Sequence, residues 1–434
     1  MKVFQPKVFT ALKNYHELKL ANDIVAGIIV AIIALPLSIA LAIASGAEPV
    51  QGLYTAIIAG FVISFLGGSN VNISGPTAAF ATIVAGIIAT SGFSGLVIAT
   101  IMAGIMLIIM GICRMGSLIK YIPHTITTGF TSGIAVTILI GQIKDFLGLK
   151  FPVGANPVEA SEKIIEIVGS INTLDWKSLV VGIIGLAILI IWPLLSKVFK
   201  GKASLIFKKV PPSIVAVIIG ILIVAFTPLK ADTIGSRYII ESGFPKFSLP
   251  EFDWNTVVAL IPDAFTIAIL AAIESLLSCV VSDGMIGDKH NSNTELIAQG
   301  VGNICSGLFG GIPATGAIAR TAANVKNGGR SPISGMVHAI VLLIVLLVLM
   351  PYAGLIPMPI IAAILFMVAY NMSEWREFVH ICKTSPIGDT IVLIITFLLT
   401  IVFNLVIAIA VGLAVSVVIG LFRRLKNNKK EAKA

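Results

Sequence analysis

The sequence has 434 residues, of which 57% are hydrophobic and 12% are charged, and its mean hydropathy is +1.02. Soluble domains carry about 25% charged residues, so this composition excludes an ordinary soluble protein. The apolar runs are long and numerous, and backbone polar groups in hydrocarbon must be paired within their own segment. The net charge of +9 does not indicate nucleic-acid binding, because the basic residues lie in short loops between apolar runs. We therefore expect a polytopic bundle of membrane helices.

The first residues are polar and basic, which predicts a cytoplasmic segment at 1–21 and no cleaved signal peptide. The first span is expected at about 23–45. Pro36 lies inside it and removes one helical hydrogen bond, so it either kinks the helix or is an ordinary tolerated membrane proline. A second span is expected at 51–66 and ends at a double glycine.

An interrupted segment follows. Ser74-Gly75-Pro76 combines a capping hydroxyl, a flexible residue and a proline for the first turn, which is the pattern of a helix start. The helix is expected to run only to about Thr90, where Ser91 and Gly92 end it. Further spans in the first half are predicted at 94–113, 125–143, 177–195 and 211–228.

Loop charges predict the orientation. The loop at 144–176 contains five acidic residues, whereas the loop at 196–210 contains five lysines and no acidic residue. The positive-inside rule places the lysine loop in the cytoplasm and the acidic loop outside. Both termini are then cytoplasmic, including a basic tail at 423–434, and we expect the plasma (inner) membrane as the location.

The second half of the chain repeats the first. Asp23 precedes Gly75 by 52 residues, and Asp263 precedes Gly316 by 53, and a double glycine precedes each short helix. We therefore predict a first repeat at 22–229 and a second at 254–422, with seven segments in each. An odd number of segments inverts the second repeat. Later spans are expected at 333–350, 357–371, 387–402 and 404–421.

Glu274 lies in the middle of the predicted eighth span, 261–281, and no other acid is expected so deep in an apolar span. A carboxylate near the bilayer centre costs about 2.5–3.5 kcal/mol, so it should face a cavity or a partner. Ser278 shares its helix face at i+4. We predict that Glu274 and Ser278 take part in coupling-ion binding; a static ion pair between helices is the alternative.

Arg320 lies about one turn into the second short helix and is the natural partner of Glu274. It could serve only to neutralise that carboxylate, or it could supply the fixed positive charge for an anion. Both readings hold if substrate and Glu274 compete for the guanidinium.

The two helix starts indicate an anion site as well. Helix N-termini carry about half a positive charge and free N–H donors, each worth about 0.3–2 kcal/mol to an anion. Small residues beside them would let a ligand approach the backbone, although close helix packing is an alternative reason for small residues. The predicted substrate-binding residues are Thr77, Ala78, Ala79, Gly316, Ala317 and Arg320.

Three stretches resemble the sulfate permease (SulP) family of inorganic anion transporters. They are ALPLSIA at 34–40 with GLYT at 52–55, SGPTAAFA at 74–81, and PATGAIARTAAN at 313–324 followed by GGRSPISG at 328–335. The resemblance implies fourteen transmembrane segments in a 7+7 inverted repeat, with segments 3 and 10 as short half-helices. It also implies a core (segments 1–4 and 8–11) and a gate (segments 5–7 and 12–14), with the anion between segments 3 and 10.

The resemblance further implies elevator-like movement of the core, with an acid in segment 8 for cation coupling, here Glu274. Sodium-coupled bicarbonate members carry a shorter acid there and lack the segment-10 arginine. Glu274 with Arg320 is similar to proton-linked sulfate members, so a proton is expected rather than sodium. Family members usually append a cytoplasmic STAS domain, whereas the sequence stops soon after Leu421. We expect a membrane domain without a STAS domain, and the sequence leaves open whether the protein forms a homodimer.

The predicted function is secondary transport of a small inorganic anion, with sulfate and proton symport favoured. Bicarbonate, C4-dicarboxylate or nucleobase transport on the same fold and an anion channel are the alternatives. The four cysteines and five histidines are scattered without ligand spacing, and no nucleophile–base pair or phosphate loop is present. We therefore expect no catalytic residue, metal site, cofactor or enzymatic activity.

Overall fold

The computed structural model describes residues 4–420, except 15–16, 118–122, 156, 200–203, 205–206, 208–209, 240–242, 403–406 and 409. The predicted tail at 423–434, most lysines of the predicted cytoplasmic loop at 196–210 and part of the predicted span at 404–421 lie outside the described residues. The orientation of the termini therefore stays a prediction.

The described residues are mainly helical. In chain order the helices are α1 (Lys7–Ala11), α2 (Glu17–Ala44), α3 (Pro49–Leu66), α4 (Ala81–Ile112), α5 (His124–Leu147), α6 (Ala160–Gly169), α7 (Trp176–Val198), α8 (Pro212–Phe226), α9 (Ile234–Arg237), α10 (Trp254–Ala259), α11 (Ile261–Ile286), α12 (Ser292–Leu308), α13 (Ile318–Lys326), α14 (Pro332–Ala353), α15 (Met358–Met372), α16 (Trp375–Thr384), α17 (Ile387–Val402) and α18 (Ala410–Gly420). Two short strands, β1 (Ser74–Gly75) and β2 (Thr315–Gly316), interrupt this pattern.

Eight helical stretches in the described part of the chain are long and apolar enough to cross a bilayer, and α8, α17 and α18 are shorter apolar helices. The predicted polytopic helical membrane fold is thereby confirmed. The count of fourteen segments and the inverted repeat stay predictions.

Helix α4 contains the predicted break. Gly92 has φ 67° and ψ −176°, so the residues before it and after it form two helical pieces. A side chain is strained at a φ of this sign, which is why glycine stands here. The short helix predicted to end near Thr90 and the span predicted from residue 94 therefore agree with the structure.

Two groups of helices pack mainly within themselves. The core group contains α2, α3, α4, α11, α12, α13 and α14, and the gate group contains α5, α7, α8, α15 and α17. This grouping agrees with the core and gate that the family resemblance implies.

Helix α12 was not delimited from the sequence, yet it packs closely on α4. A Cβ atom at Gly104 of α4 would lie 2.6 Å from the Gly300 carbonyl oxygen, and one at Gly300 would lie 2.5 Å from the Gly104 carbonyl oxygen. Small residues let membrane helices approach to backbone contact. The two glycines thus set the distance between these helices.

The N-terminal helix α1 is held against the core group. The Lys7 amide donates to the Gly67 carbonyl at 2.9 Å, and its ammonium pairs with Asp288 at 3.1 Å. Partial burial acts to raise the pKa of Asp288, but hydrogen bonds from the Lys289 amide, Lys7 and Asn70 outweigh it, so the pKa lies below its usual value.

The Gly104→Ala variant should be less stable than the native protein by about 1–3 kcal/mol, because the added methyl group would overlap the Gly300 carbonyl. Gly86→Ala is the matched control on the same helix, since a Cβ atom there meets open space. Thermal unfolding in detergent measures both. Equal midpoints for the two variants would contradict the close α4–α12 contact.

Candidate anion site at the crossing of two unwound segments

The two unwound segments meet as an antiparallel ribbon. Ser74 pairs with Gly316 and Gly75 with Thr315, and the Ala317 amide donates to the Ile73 carbonyl at 2.8 Å. Unwound backbone inside a membrane protein needs internal hydrogen-bond partners, and each segment provides them for the other. The ribbon brings the two predicted helix starts to one place, although the sequence did not predict strand pairing.

Both chains enter helices directly after the ribbon. Thr77 precedes a 3₁₀ turn at Ala78–Phe80 that leads into α4, and Ala317 precedes α13. Neither the Thr77 nor the Ala317 side chain caps its helix. The amide groups of both first turns, with their partial positive charge, are therefore available to a ligand.

The predicted substrate-binding residues gather around these two helix starts. Ala78, Ala79 and Gly316 are buried, whereas Thr77 and Ala317 are half-buried. A Cβ atom at Gly316 would lie 2.7 Å from the Asn72 Nδ2 atom. The absence of a side chain at Gly316 thus lets Asn72 pack directly against the backbone.

Arg320 is buried, with 1% of its surface exposed. Its Nη2 atom donates to the Pro76 carbonyl at 3.1 Å and approaches the Ser38 hydroxyl at 3.4 Å. Its Nε and Nη1 atoms have no hydrogen-bond partner among the described residues. A Cβ atom at Gly75 would lie 2.5 Å from Nη1, so the guanidinium rests against the ribbon.

Glu274 approaches the same place from α11. Its Oε2 atom accepts a hydrogen bond from the Thr77 hydroxyl at 2.9 Å. Among the described residues Glu274 and Arg320 form no ion pair, so the direct pairing given above as one of two possible roles of Arg320 is not found. The guanidinium points instead toward Ser38 and the Pro76 carbonyl, behind the start of the first short helix.

Ser278 belongs to a different hydrogen-bond network from Glu274. Its hydroxyl donates to Asn72 Oδ1 at 2.7 Å, and Thr321 donates to the same oxygen at 3.0 Å. Thr321 also accepts from the Ile73 amide at 2.9 Å. These bonds join α11, the segment before β1 and α13. Ser278 therefore holds the crossing together, and its predicted coupling role stays a prediction.

Two other acids are more deeply buried within the protein than Glu274. Asp23 is fully buried and accepts from the Ser331 hydroxyl at 2.6 Å. Glu295, on α12, is 1% exposed and accepts from the Gly68 amide at 2.9 Å, from Asn72 at 2.8 Å and from Gln299 at 3.0 Å. Three donors satisfy the oxygens of this buried carboxylate.

The second segment has matching supports. Asn303 accepts from the Ala314 amide at 2.8 Å and donates to the Ala314 carbonyl at 2.9 Å. Thr55 of α3 accepts from the Ile312 amide at 2.7 Å. In the ribbon, Ser275 accepts from the Gly316 amide at 2.9 Å. The backbone on both sides of the crossing is thus satisfied by side chains of neighbouring helices.

These supporting residues were not among the predicted site residues, although the sequence contains a signal for them. Glu295, Gln299 and Asn303 are spaced by four residues and lie on one face of α12. A polar stripe on an apolar helix indicates a buried polar partner. Among the described residues, no three His, Cys, Asp or Glu side chains lie close enough to hold a metal ion.

Comparisons with known proteins agree with this architecture. The family described as "Sulfate permease family" matches residues 20–396. YvdB of Bacillus subtilis (strain 168), which carries a provisional sulfate-transporter name, is 44% identical over 394 residues, covering 89% of this chain and 71% of YvdB. The bicarbonate transporter BicA of Picosynechococcus sp. (strain ATCC 27264 / PCC 7002 / PR-6) is 34% identical over 397 residues, covering 88% of this chain and 68% of BicA.

Among solved structures, the transmembrane domain of a cyanobacterial bicarbonate transporter BicA superposes with a TM-score of 0.79 at 30% identity, covering 91% of this chain and 98% of that domain. The superposition thus includes nearly the whole helical bundle around the two paired segments, Ser74–Gly75 and Thr315–Gly316. The family and the relatives of this chain are transporters rather than enzymes. This chain belongs to the sulfate permease family of membrane transporters.

Proposed function

We propose that the protein is a secondary active transporter of a small inorganic anion, sulfate above all, that works by proton symport. The observation that carries this proposal is the buried Arg320 guanidinium beside two helix starts, which has two nitrogens without partners among the described residues. A buried charge without a counter-ion is unfavourable. An anion that fills the site during transport would supply that counter-ion.

The site chemistry suits an oxyanion. The amides at the starts of the two short helices and the arginine all donate hydrogen bonds, and sulfate offers four acceptor oxygens and two negative charges. Thr77, Ala78, Ala79, Gly316 and Ala317 would surround it with small side chains. A divalent anion gains more from this positive field than a monovalent one.

Sulfate is favoured over bicarbonate by two features. The relative YvdB, whose provisional name is sulfate transporter, is more similar to this chain than BicA is. In addition, the family resemblance associates the arginine of segment 10 with sulfate members. Bicarbonate and C4-dicarboxylates remain the alternative substrates.

Glu274 is the residue that we propose for proton coupling. It lies in a membrane helix and hydrogen-bonds Thr77, the first residue of one half of the site. Protonation of Glu274 would change the charge beside the anion without breaking the ribbon. Movement of the core group past the gate group would then carry anion and proton together, as in an elevator.

Arg320→Ala should lower the rate of sulfate uptake into proteoliposomes at least tenfold, because a hydrogen bond to a charged group contributes about 1.5–3 kcal/mol. Arg376→Ala is the matched control, since Arg376 is an exposed arginine on α16 beside Trp375. Uptake by Arg320→Ala at the rate of the control would refute the anion-site assignment.

Glu274→Gln should abolish sulfate accumulation driven by an inward proton gradient and leave sulfate–sulfate exchange in place, because the amide keeps a hydrogen-bonding oxygen but does not titrate. The exposed Glu251 provides the control variant Glu251→Gln. Radiolabelled uptake with imposed pH or sodium gradients measures both modes. Sulfate accumulation driven by a sodium gradient without a pH gradient would show that the coupling ion is sodium and not a proton.

A substrate panel separates the alternatives. Excess unlabelled sulfate should inhibit labelled sulfate uptake, whereas bicarbonate and fumarate should inhibit weakly. Stronger inhibition by either of them would reassign the substrate. An uncoupled sulfate conductance in a planar bilayer would indicate a channel and contradict secondary transport.

A further inference from the structure

His338 of α14 is a buried histidine that the proposed mechanism does not use. It has no exposed surface, and neither Nδ1 nor Nε2 has a hydrogen-bond partner among the described residues. An imidazole ring always carries at least one N–H donor, and buried polar groups of native proteins are almost always paired. A histidine in this condition therefore calls for a functional explanation.

The ring lies behind the ribbon of the anion site. A Cβ atom at Gly60 of α3 would be 3.9 Å from His338 Nδ1 and 3.2 Å from the Ser74 carbonyl oxygen. The Arg320 guanidinium lies against the next residue of the same strand, since a Cβ atom at Gly75 would be 2.5 Å from its Nη1 atom. Arg320 and His338 thus approach the same strand, and each has two nitrogens without hydrogen-bond partners among the described residues.

The other charged groups on the helices around the ring either have hydrogen-bond or ion-pair partners or are exposed. Helix α14 packs against α1, α2 and α3. The titratable groups on the described side chains of these helices are Lys7 of α1, Lys19 and Asp23 of α2, and Tyr54 of α3. Lys7 pairs with Asp288, Asp23 bonds Ser331 near the start of α14, and Lys19 is exposed. Glu295 of α12 is held by three donors, the Gly68 amide, Asn72 and Gln299.

We propose that His338 is a second proton-binding residue of the anion site and that its protonation is linked to anion binding through Arg320. Burial of the ring disfavours a proton on His338, and the Arg320 charge adds a repulsion, because two positive charges in a medium of low dielectric constant repel each other. An anion bound at the helix starts offsets the arginine charge and removes this repulsion. The proton and the anion then favour each other's binding by the same factor.

This proposal deepens the proton symport described above and rests on it. Anion binding would draw a proton to the His338 ring, and anion release would restore the unopposed Arg320 charge and expel the proton. The His338 ring would not contact the anion and would affect anion binding only through the charge on Arg320. A divalent anion would then travel with a proton on His338 in addition to the one on Glu274.

The test compares His338→Gln with the native protein, because glutamine is polar and does not titrate. His380→Gln is the matched control, since His380 is exposed on α16. Isothermal calorimetry of sulfate binding in buffers of different ionisation enthalpy gives the protons taken up per sulfate. We expect fewer protons for His338→Gln than for the native protein and the control. The sulfate Kd should also rise less steeply with pH, where one linked proton gives at most about tenfold per pH unit.

An unchanged proton number and pH profile in His338→Gln would overturn this inference and leave the proposed symport intact. Sulfate binding without any proton uptake by the native protein would overturn the symport and the inference together. If His338→Gln fails to fold, judged by its elution profile and thermal midpoint, the number of protons taken up by the Glu274→Gln variant tests the proposal instead. Residual proton uptake in Glu274→Gln supports a second acceptor, and its complete loss rules out His338.

Discussion

The antiparallel pairing of Ser74–Gly75 with Thr315–Gly316 is the constraint on which the site depends. A helix interrupted inside a membrane leaves backbone groups that lipid cannot satisfy, so an interruption survives only where protein supplies the missing bonds. Here two interruptions supply them for each other. The same pairing fixes the distance between the two following helices, so both amino ends lie beside one ribbon and their partial positive charges act on one volume.

The surrounding side chains show what this arrangement requires. Asn72 and Glu295 hold the first segment, and Asn303 and Thr55 hold the second, by bonds to backbone or to one another. Such buried networks are favourable only when nearly every member is paired. Arg320 departs from that rule, because two of its nitrogens have no hydrogen-bond partner among the described residues. Its cation thus has unused donors at the place where a transporter needs an attraction that can be occupied and released.

Much of this could be predicted from the sequence, because the signals are local. The helix start at Ser74-Gly75-Pro76 and the break at Gly92 follow from backbone chemistry of single residues. The membrane fold follows from composition. The strand pairing and the partners of Arg320 could not be predicted, since they depend on the register between two segments far apart in the chain. A direct pairing of Arg320 with Glu274, one of the two roles that charge alone allows, is therefore not found among the described residues, whereas the polar stripe containing Glu295 is visible in the sequence.

The central claim is that an anion binds where the two short helices begin. Selenate has the shape and charge of sulfate, and selenium can be located by anomalous scattering. Crystals of the protein grown with selenate should give an anomalous peak within hydrogen-bond distance of the amides at residues 78–79 and 318–320 and near the Arg320 guanidinium. A selenate site elsewhere in the core group, with none at the ribbon, would contradict the account.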